Sequence, residues 1–187
     1  MLGLSQVNNH FMYSIFYAIF YLISLIPWPV VYLLSDGVAF LLRKILKYRL
    51  DVVQHNLAIA FPNKTIQERN QIAKEFYQKF SDSFFETIKL ISMSDASFNK
   101  RFTSNAEVLN DLYPTGQNVQ IMAGHFFNWE FANWGAAKYG KYPFIGVYMP
   151  LSNRFFDRLI LDMRKRYGSI LIPATNFKNQ FHQYATN

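Results

Sequence analysis

The chain has 187 residues, of which 51% are hydrophobic, with 19 Phe, 12 Tyr, a formal net charge of +7 and no cysteine. That length and apolar content support one domain with a substantial core, and the lack of cysteine excludes disulfides and thiolate chemistry. The four histidines, at positions 10, 55, 125 and 182, are scattered, and no H-E-x-x-H, G-x-S-x-G or glycine-rich phosphate loop occurs, so neither a metal nor a cofactor is expected.

Phe11 to Leu34 carries no charged residue over 24 positions. As one helix it would run about 36 Å, against roughly 30 Å of bilayer hydrocarbon. Pro27 and Pro29 fall inside it, which predicts a kink or an end near Ile26. The segment reads as a membrane anchor that either spans the bilayer or lies in its interface through Trp28 and Tyr32; the competing reading is a buried core helix. The first 42 residues contain no Lys or Arg, and Arg43, Lys44, Lys47 and Arg49 follow at once. Basic residues after an apolar segment stay cytoplasmic, so residues 1–42 are read as anchor and 43–187 as a domain on the cytoplasmic face.

Leu50 to Ala60 reads as a helix stopped by Pro62. Thr65 with Glu68 forms a capping box that opens a long helix to about Ile91. Ile72, Phe76, Phe80, Phe84 and Ile88 recur at helical spacing, a stripe expected in the core, with an acyl-chain wall as the alternative. His55 beside it reads as a structural helix residue. A short helix and a turn at Pro114–Gly116 lead into an apolar run, Val119 to Ala123, expected as a buried strand.

His125 and Glu130 follow that run. Residues five apart do not share a face of one helix, so a pair of this spacing meets only if the backbone turns between them. Gly124 and the N-cap Asn128 offer such a turn, placing His125 at a strand end and Glu130 in the first turn of a helix from Trp129 to Tyr139. A carboxylate on one imidazole nitrogen fixes the tautomer, and the other nitrogen can then take a proton from a hydroxyl. The competing reading is a surface histidine and a helix-start glutamate that never touch. Beyond them, Phe144 to Tyr148 is expected as a strand, Asn153 to Tyr167 as a basic amphipathic helix capped by Gly168, and Ser169 to Ile172 as a third strand. This β-α-β-α-β order predicts an α/β fold with a parallel sheet. Asn176 to Tyr184 carries Phe177, Phe181 and Tyr184 at helical spacing.

Eight basic residues and two acidic ones lie between Lys138 and Lys178. Such a face suits phosphorylated lipid heads, an anionic bilayer or an acidic protein partner, and no nucleic-acid motif accompanies it. Arg164, Lys165 and Arg166 read as a solvated helix face, with phosphate or acidic-carrier binding as the alternative. Arg154, nearer the strand end, is the stronger candidate for a substrate contact.

Three stretches carry a family resemblance. GHFFNWE, Gly124 to Glu130, resembles the H-x4-(D/E) motif of the lysophospholipid acyltransferase superfamily, and its ending that of the bacterial lipid A late acyltransferase branch. NLAIAFPNKT, Asn56 to Thr65, and GVYMPLSNRFFDRLI, Gly146 to Ile160, are similar to further segments of that branch. The family often has glycine at the place of Phe127 and a basic residue at that of Met149, and its chains continue past Asn187, so this chain is expected to be incomplete and little active alone.

The resemblance implies a glycerol-3-phosphate-acyltransferase-like fold, a partly parallel sheet flanked by helices, behind a membrane-anchoring helix. It implies transfer of a fatty acyl group from acyl carrier protein to a hydroxyl of a phosphorylated lipid A precursor, at the cytoplasmic face of the bacterial inner membrane. His125 would be the general base, Glu130 its orienting partner, Asn128 a support for the oxyanion, and Tyr148, Asn153 and Arg154 substrate contacts. An acyltransferase for another membrane lipid and an inactive membrane-associated homologue remain open.

Overall fold

The computed structural model describes residues 4–124 and 128–185, with residues 4–11 and 185 described by their backbone alone. The described chain is mostly helical around one small sheet. Helix α1 spans Leu4–Ser24 and α2 spans Trp28–Phe40. They meet at Pro27, where the chain bends by 109°, as the paired prolines predict. No single described helix is long and apolar enough to cross a membrane; the bent pair Met12–Ser24 with Trp28–Ile45 reaches the necessary length and composition together. A π-helical turn, Leu41–Ile45, and left-handed Lys47 and Arg49 lead into α3, Leu50–Ala60. His55 is exposed on α3.

Helix α4, Ile66–Lys89, starts at the expected capping box: Thr65 N–H donates to Glu68 Oε2 at 2.7 Å and Glu68 N–H donates to Thr65 Oγ1 at 3.2 Å. Its buried face differs from the expected one. Ala73, Tyr77 and Ser81 are buried, whereas Ile72, Phe76, Phe80 and Ile88 are half-buried and Phe84 is 60% exposed. The reason lies in α2, which presents Val31, Ser35 and Ala39 to α4. Small side chains let two helix backbones approach, and hydroxyls tie them: Ser81 Oγ donates to the Ser35 carbonyl at 2.9 Å and Ser35 Oγ to Asp82 at 2.8 Å. The phenylalanine stripe, one position earlier and so about 100° around the axis, stacks on itself instead, with Phe76–Phe80 and Phe80–Phe84 centroids 5.8 and 5.0 Å apart.

Two short helices, α5 at Asp95–Asn99 and α6 at Ala106–Asn110, precede a 3₁₀ turn at Tyr113–Thr115. The expected strand at Val119–Ala123 does not form. The run is irregular and, past the half-buried Val119, exposed, Ile121 by 52% and Met122 by 88%. Apolar content sets a propensity, but a strand needs a neighbour to bond to, and among the described residues no strand pairs with this run. Helix α7, Trp129–Tyr139, strand β1, Ile145–Tyr148, helix α8, Arg154–Arg164, strand β2, Ile170–Pro173, and helix α9, Phe177–Ala185, complete the chain. The two strands pair in parallel, Ile145 opposite Ile170 and Tyr148 opposite Pro173, so the sheet has two strands where three are expected.

The core that supports the candidate site gathers Leu90, Met93, Phe98, Phe131, Trp134 and Met163. Phe98 lies 5.5 Å from Phe131 and 5.6 Å from Trp134 between ring centroids. Gly135 makes room for this packing, since a Cβ there would lie 2.1 Å from the Phe102 ring. Helix α1 is packed onto this body: its Tyr13 and Phe16 rings lie 5.4 and 5.3 Å from Phe155 of α8.

Candidate functional site

Asn128 opens α7 from a left-handed conformation, φ 68° and ψ 46°, which asparagine tolerates better than most side chains. Its Oδ1 accepts from the Phe131 N–H at 3.3 Å. The chain therefore enters α7 through a sharp turn, and the helix begins at Trp129 as its residues predict. His125, Phe126 and Phe127 lie outside the described residues.

Glu130 sits in the first turn of α7 and is 6% exposed. A carboxylate is favoured at the positive end of a helix, but burial at this depth requires a partner. Arg164, at the end of α8, supplies it. Its Nε donates to Oε2 at 2.8 Å and its Nη2 to Oε1 at 2.6 Å. The Trp129 indole donates to Oε1 at 3.0 Å. Oε1 is thereby filled. Among the described residues Oε2 holds one donor, and a carboxylate oxygen accepts about two, so the described residues leave one direction on Oε2 for a further N–H. The arrangement is held from outside as well: Asn133 Nδ2 donates to the Arg164 carbonyl at 3.0 Å and Trp134 Nε1 to the Met163 carbonyl at 2.8 Å.

The other expected site residues divide. Tyr148 is half-buried at the end of β1, and its hydroxyl is pushed above the ordinary tyrosine range by burial and by Asp157, with Arg164 acting the other way. It lies within electrostatic reach of the Glu130 pair. Asn153 is the N-cap of α8, its Oδ1 accepting from the Phe155 and Phe156 N–H groups at 3.0 and 3.2 Å. Arg154 is exposed at the first position of α8, about 15 Å along the helix from Arg164. The Arg164–Arg166 run is solvated in part: Lys165 and Arg166 are exposed, whereas Arg164 is half-buried against Glu130, and the Arg166 guanidinium also lies 4.9 Å from the Trp134 ring centroid and donates to the Leu90 carbonyl at 3.3 Å.

Residues 4–187 match the sequence model described as bacterial lipid A biosynthesis acyltransferase. The chain belongs to that family. It is 28% identical over 163 residues to the lipid A biosynthesis lauroyltransferase of Escherichia coli (strain K12), a match covering 86% of this chain and 52% of that protein. It is 22% identical over 154 residues to the lipid A biosynthesis palmitoleoyltransferase of the same organism, covering 82% and 50%. Identity to the lipid A biosynthesis acyltransferase of Haemophilus influenzae (strain ATCC 51907 / DSM 11121 / KW20 / Rd) is 29% over 185 residues, covering 94% and 58%. The chain spans about half the length of these curated relatives. No solved structure gives a significant match.

In this lipid A acyltransferase family member, two residues beside the motif were not singled out from the sequence. Arg164 was legible only as one of three consecutive basic residues. Glu86, on α4, accepts from the Asn128 side chain and from the Tyr32 hydroxyl, and nothing in its local spacing distinguishes it from the other polar residues of that helix.

Proposed function

We propose that this chain carries the general-base pair of an enzyme that moves a fatty acyl group from acyl carrier protein to a hydroxyl of a lipid A precursor. His125 removes the acceptor proton as the oxygen bonds to the thioester carbonyl carbon. The carbon–sulfur bond then breaks, and the imidazolium returns the proton to the leaving thiolate. Glu130 holds the imidazole in one tautomer and stabilises its charged form; the proton transfer itself is worth about 10² to 10⁴ in rate. The single observation that carries this reading is the fixed carboxylate: Arg164 and Trp129 orient Glu130, and among the described residues an acceptor direction on Oε2 is left. Asn128 and the backbone N–H groups at the start of α7 support the developing oxyanion, and Tyr148, Asn153 and Arg154 form the substrate contacts.

On this reading the reaction takes place at the cytoplasmic face of the bacterial inner membrane, a reading that the bent helix pair α1–α2 and the basic cluster Arg43, Lys44, Lys47 and Arg49 support. The exposed apolar side chains Leu22, Leu25, Leu33 and Phe40 support that placement. On this reading residues 1–42 are the membrane-facing part and 43–187 the acyltransferase part, built on a glycerol-3-phosphate-acyltransferase-like sheet. The test is acyl transfer from acyl carrier protein to a lipid A precursor, with a lysophospholipid as competing acceptor. His125→Ala should lose about 100-fold or more, and Glu130→Gln somewhat less. Activity of His125→Ala within about tenfold of the parent overturns the general-base role; preference for the lysophospholipid replaces the acceptor.

A further inference from the structure

Glu86 occupies a position that its own helix does not favour. It lies in the last turn of α4, where the helix dipole is negative and a carboxylate is disfavoured. Its two oxygens are nevertheless both engaged by groups from other elements. Oε1 accepts from the Tyr32 hydroxyl of α2 at 2.8 Å. Oε2 accepts from Nδ2 of Asn128, the left-handed N-cap of α7. At that second contact the sign reverses, because the amino-terminal end of α7 is positive and favours an anion. Arg101 adds a cation on the far side, with its guanidinium 3.4 Å from the Tyr32 hydroxyl and 3.6 Å from the Trp28 ring centroid.

The Asn128 side chain is thus held at both ends. Oδ1 caps α7 through Phe131, and Nδ2 is tied to Glu86. A left-handed non-glycine residue persists only when its surroundings over-determine it, and Glu86 supplies the restraint that does not come from α7 itself. We infer that Glu86 is a positioning residue: it locks the Asn128 turn and so fixes the start of α7, where Glu130 stands. Through Tyr32 it also ties that turn to α2, the helix that faces the membrane in the proposed function. This inference rests on the acyl-transfer reading for its catalytic consequence, but not for its structural one.

Two readouts separate them. The first is hydrogen exchange of the 187-residue chain, followed by mass spectrometry. Glu86→Ala should speed exchange in peptides covering 128–135 by about tenfold while peptides of the Met93–Phe102 core keep their protection, since local openings are independent of the global one. Glu86→Gln keeps an acceptor for Asn128 and an N–H for the Tyr32 oxygen, and should restore protection. The second is acyl transfer. Glu86→Ala should lower kcat about 10- to 100-fold, as expected of a misplaced catalytic group, with KM changed less than about twofold. Glu86→Gln should recover most of kcat, and Tyr32→Phe, which spares the Asn128 contact, should stay within about threefold of the parent.

Unchanged exchange at 128–135 in Glu86→Ala overturns the inference, as does uniform loss of protection over the whole chain. So does Tyr32→Phe matching Glu86→Ala, which would place the effect in α2. If the parent chain transfers no acyl group to either acceptor, the exchange experiment alone decides the role of Glu86.

Discussion

The Glu130–Arg164 pair is two-point, buried on the Glu130 side, half-buried on the Arg164 side, and 34 residues apart in sequence. Breaking a buried ion pair from one side costs about 3–5 kcal/mol, because it strands a charge. Arg164→Met should therefore cost about that much in denaturant unfolding, whereas Arg164→Met combined with Glu130→Gln should recover part of the loss. Additive effects of the two changes would show that the pair is not coupled. A second residue-scale prediction concerns Asp95. Hydrogen bonds from Lys138 and then from the Tyr167 hydroxyl hold its carboxyl below the usual carboxylate range. A depressed native value favours the charged form on folding, so the contribution is present above the ordinary value of about 3.9 and disappears as pH falls through the native one. Tyr167 is pushed up to about 12, first by burial and then by donating to Asp95. That contribution is complete below the ordinary value of about 10 and is lost as pH rises through 12. The Tm gap between parent and Asp95→Asn should accordingly be widest across neutral pH and close towards pH 3; a gap that stays constant in acid would refute the pairing.

Among the elements, α4 shows how a periodic pattern can name the wrong face. Ile72, Phe76, Phe80, Phe84 and Ile88 have helical spacing, yet α4 buries Ala73, Tyr77 and Ser81 against α2. Contact with a small-residue face brings two backbones close and lets hydroxyls bond across, which a row of phenylalanines prevents. Phe84→Ala should then cost under about 1 kcal/mol, as expected of a mostly exposed side chain. Trp134→Ala, in the core at 1% exposure, should cost about 3–5 kcal/mol. Urea midpoints of the two variants check the contrast, and comparable losses would return the phenylalanine stripe to the core.

For the whole molecule, the helix pair α1–α2 is both the proposed membrane surface and part of the body. Tyr13 donates to Asp162 of α8 at 2.8 Å, the Arg158 guanidinium lies 4.0 Å from the Tyr13 ring centroid, and Lys89 of α4 donates to the Ile26 carbonyl at the bend at 2.7 Å. A deletion beginning the chain at Leu41 should thus lower the melting temperature as well as release the protein from membranes. The basic cluster that follows would still hold it at low ionic strength, and high salt should remove that remainder by screening. Membrane sedimentation with and without salt, beside a melting curve, tests both parts. Persistence in the membrane fraction after a high-salt wash would show that residues 1–40 are not the anchor.

What the sequence determined by itself is the set of features closed within about four residues. The bend at Pro27, the capping box at Thr65, the start of α7 after Asn128, the N-cap Asn153 and the left-handed Gly168 all stand where the residues put them. Each depends on a proline ring, a side-chain cap or a glycine dihedral acting on its own neighbours. The candidate pair was legible as a spacing, and Glu130 as the start of a helix, for the same reason. Only the tertiary structure decided which face of α4 is buried, that Val119 to Ala123 stands without a strand partner among the described residues, that Arg164 and not Arg154 meets Glu130, and that Glu86 reaches Asn128 from 42 residues away. Those outcomes turn on which surfaces approach closely enough to exclude water and satisfy one another's polar groups, and a linear pattern of residue types leaves that choice open.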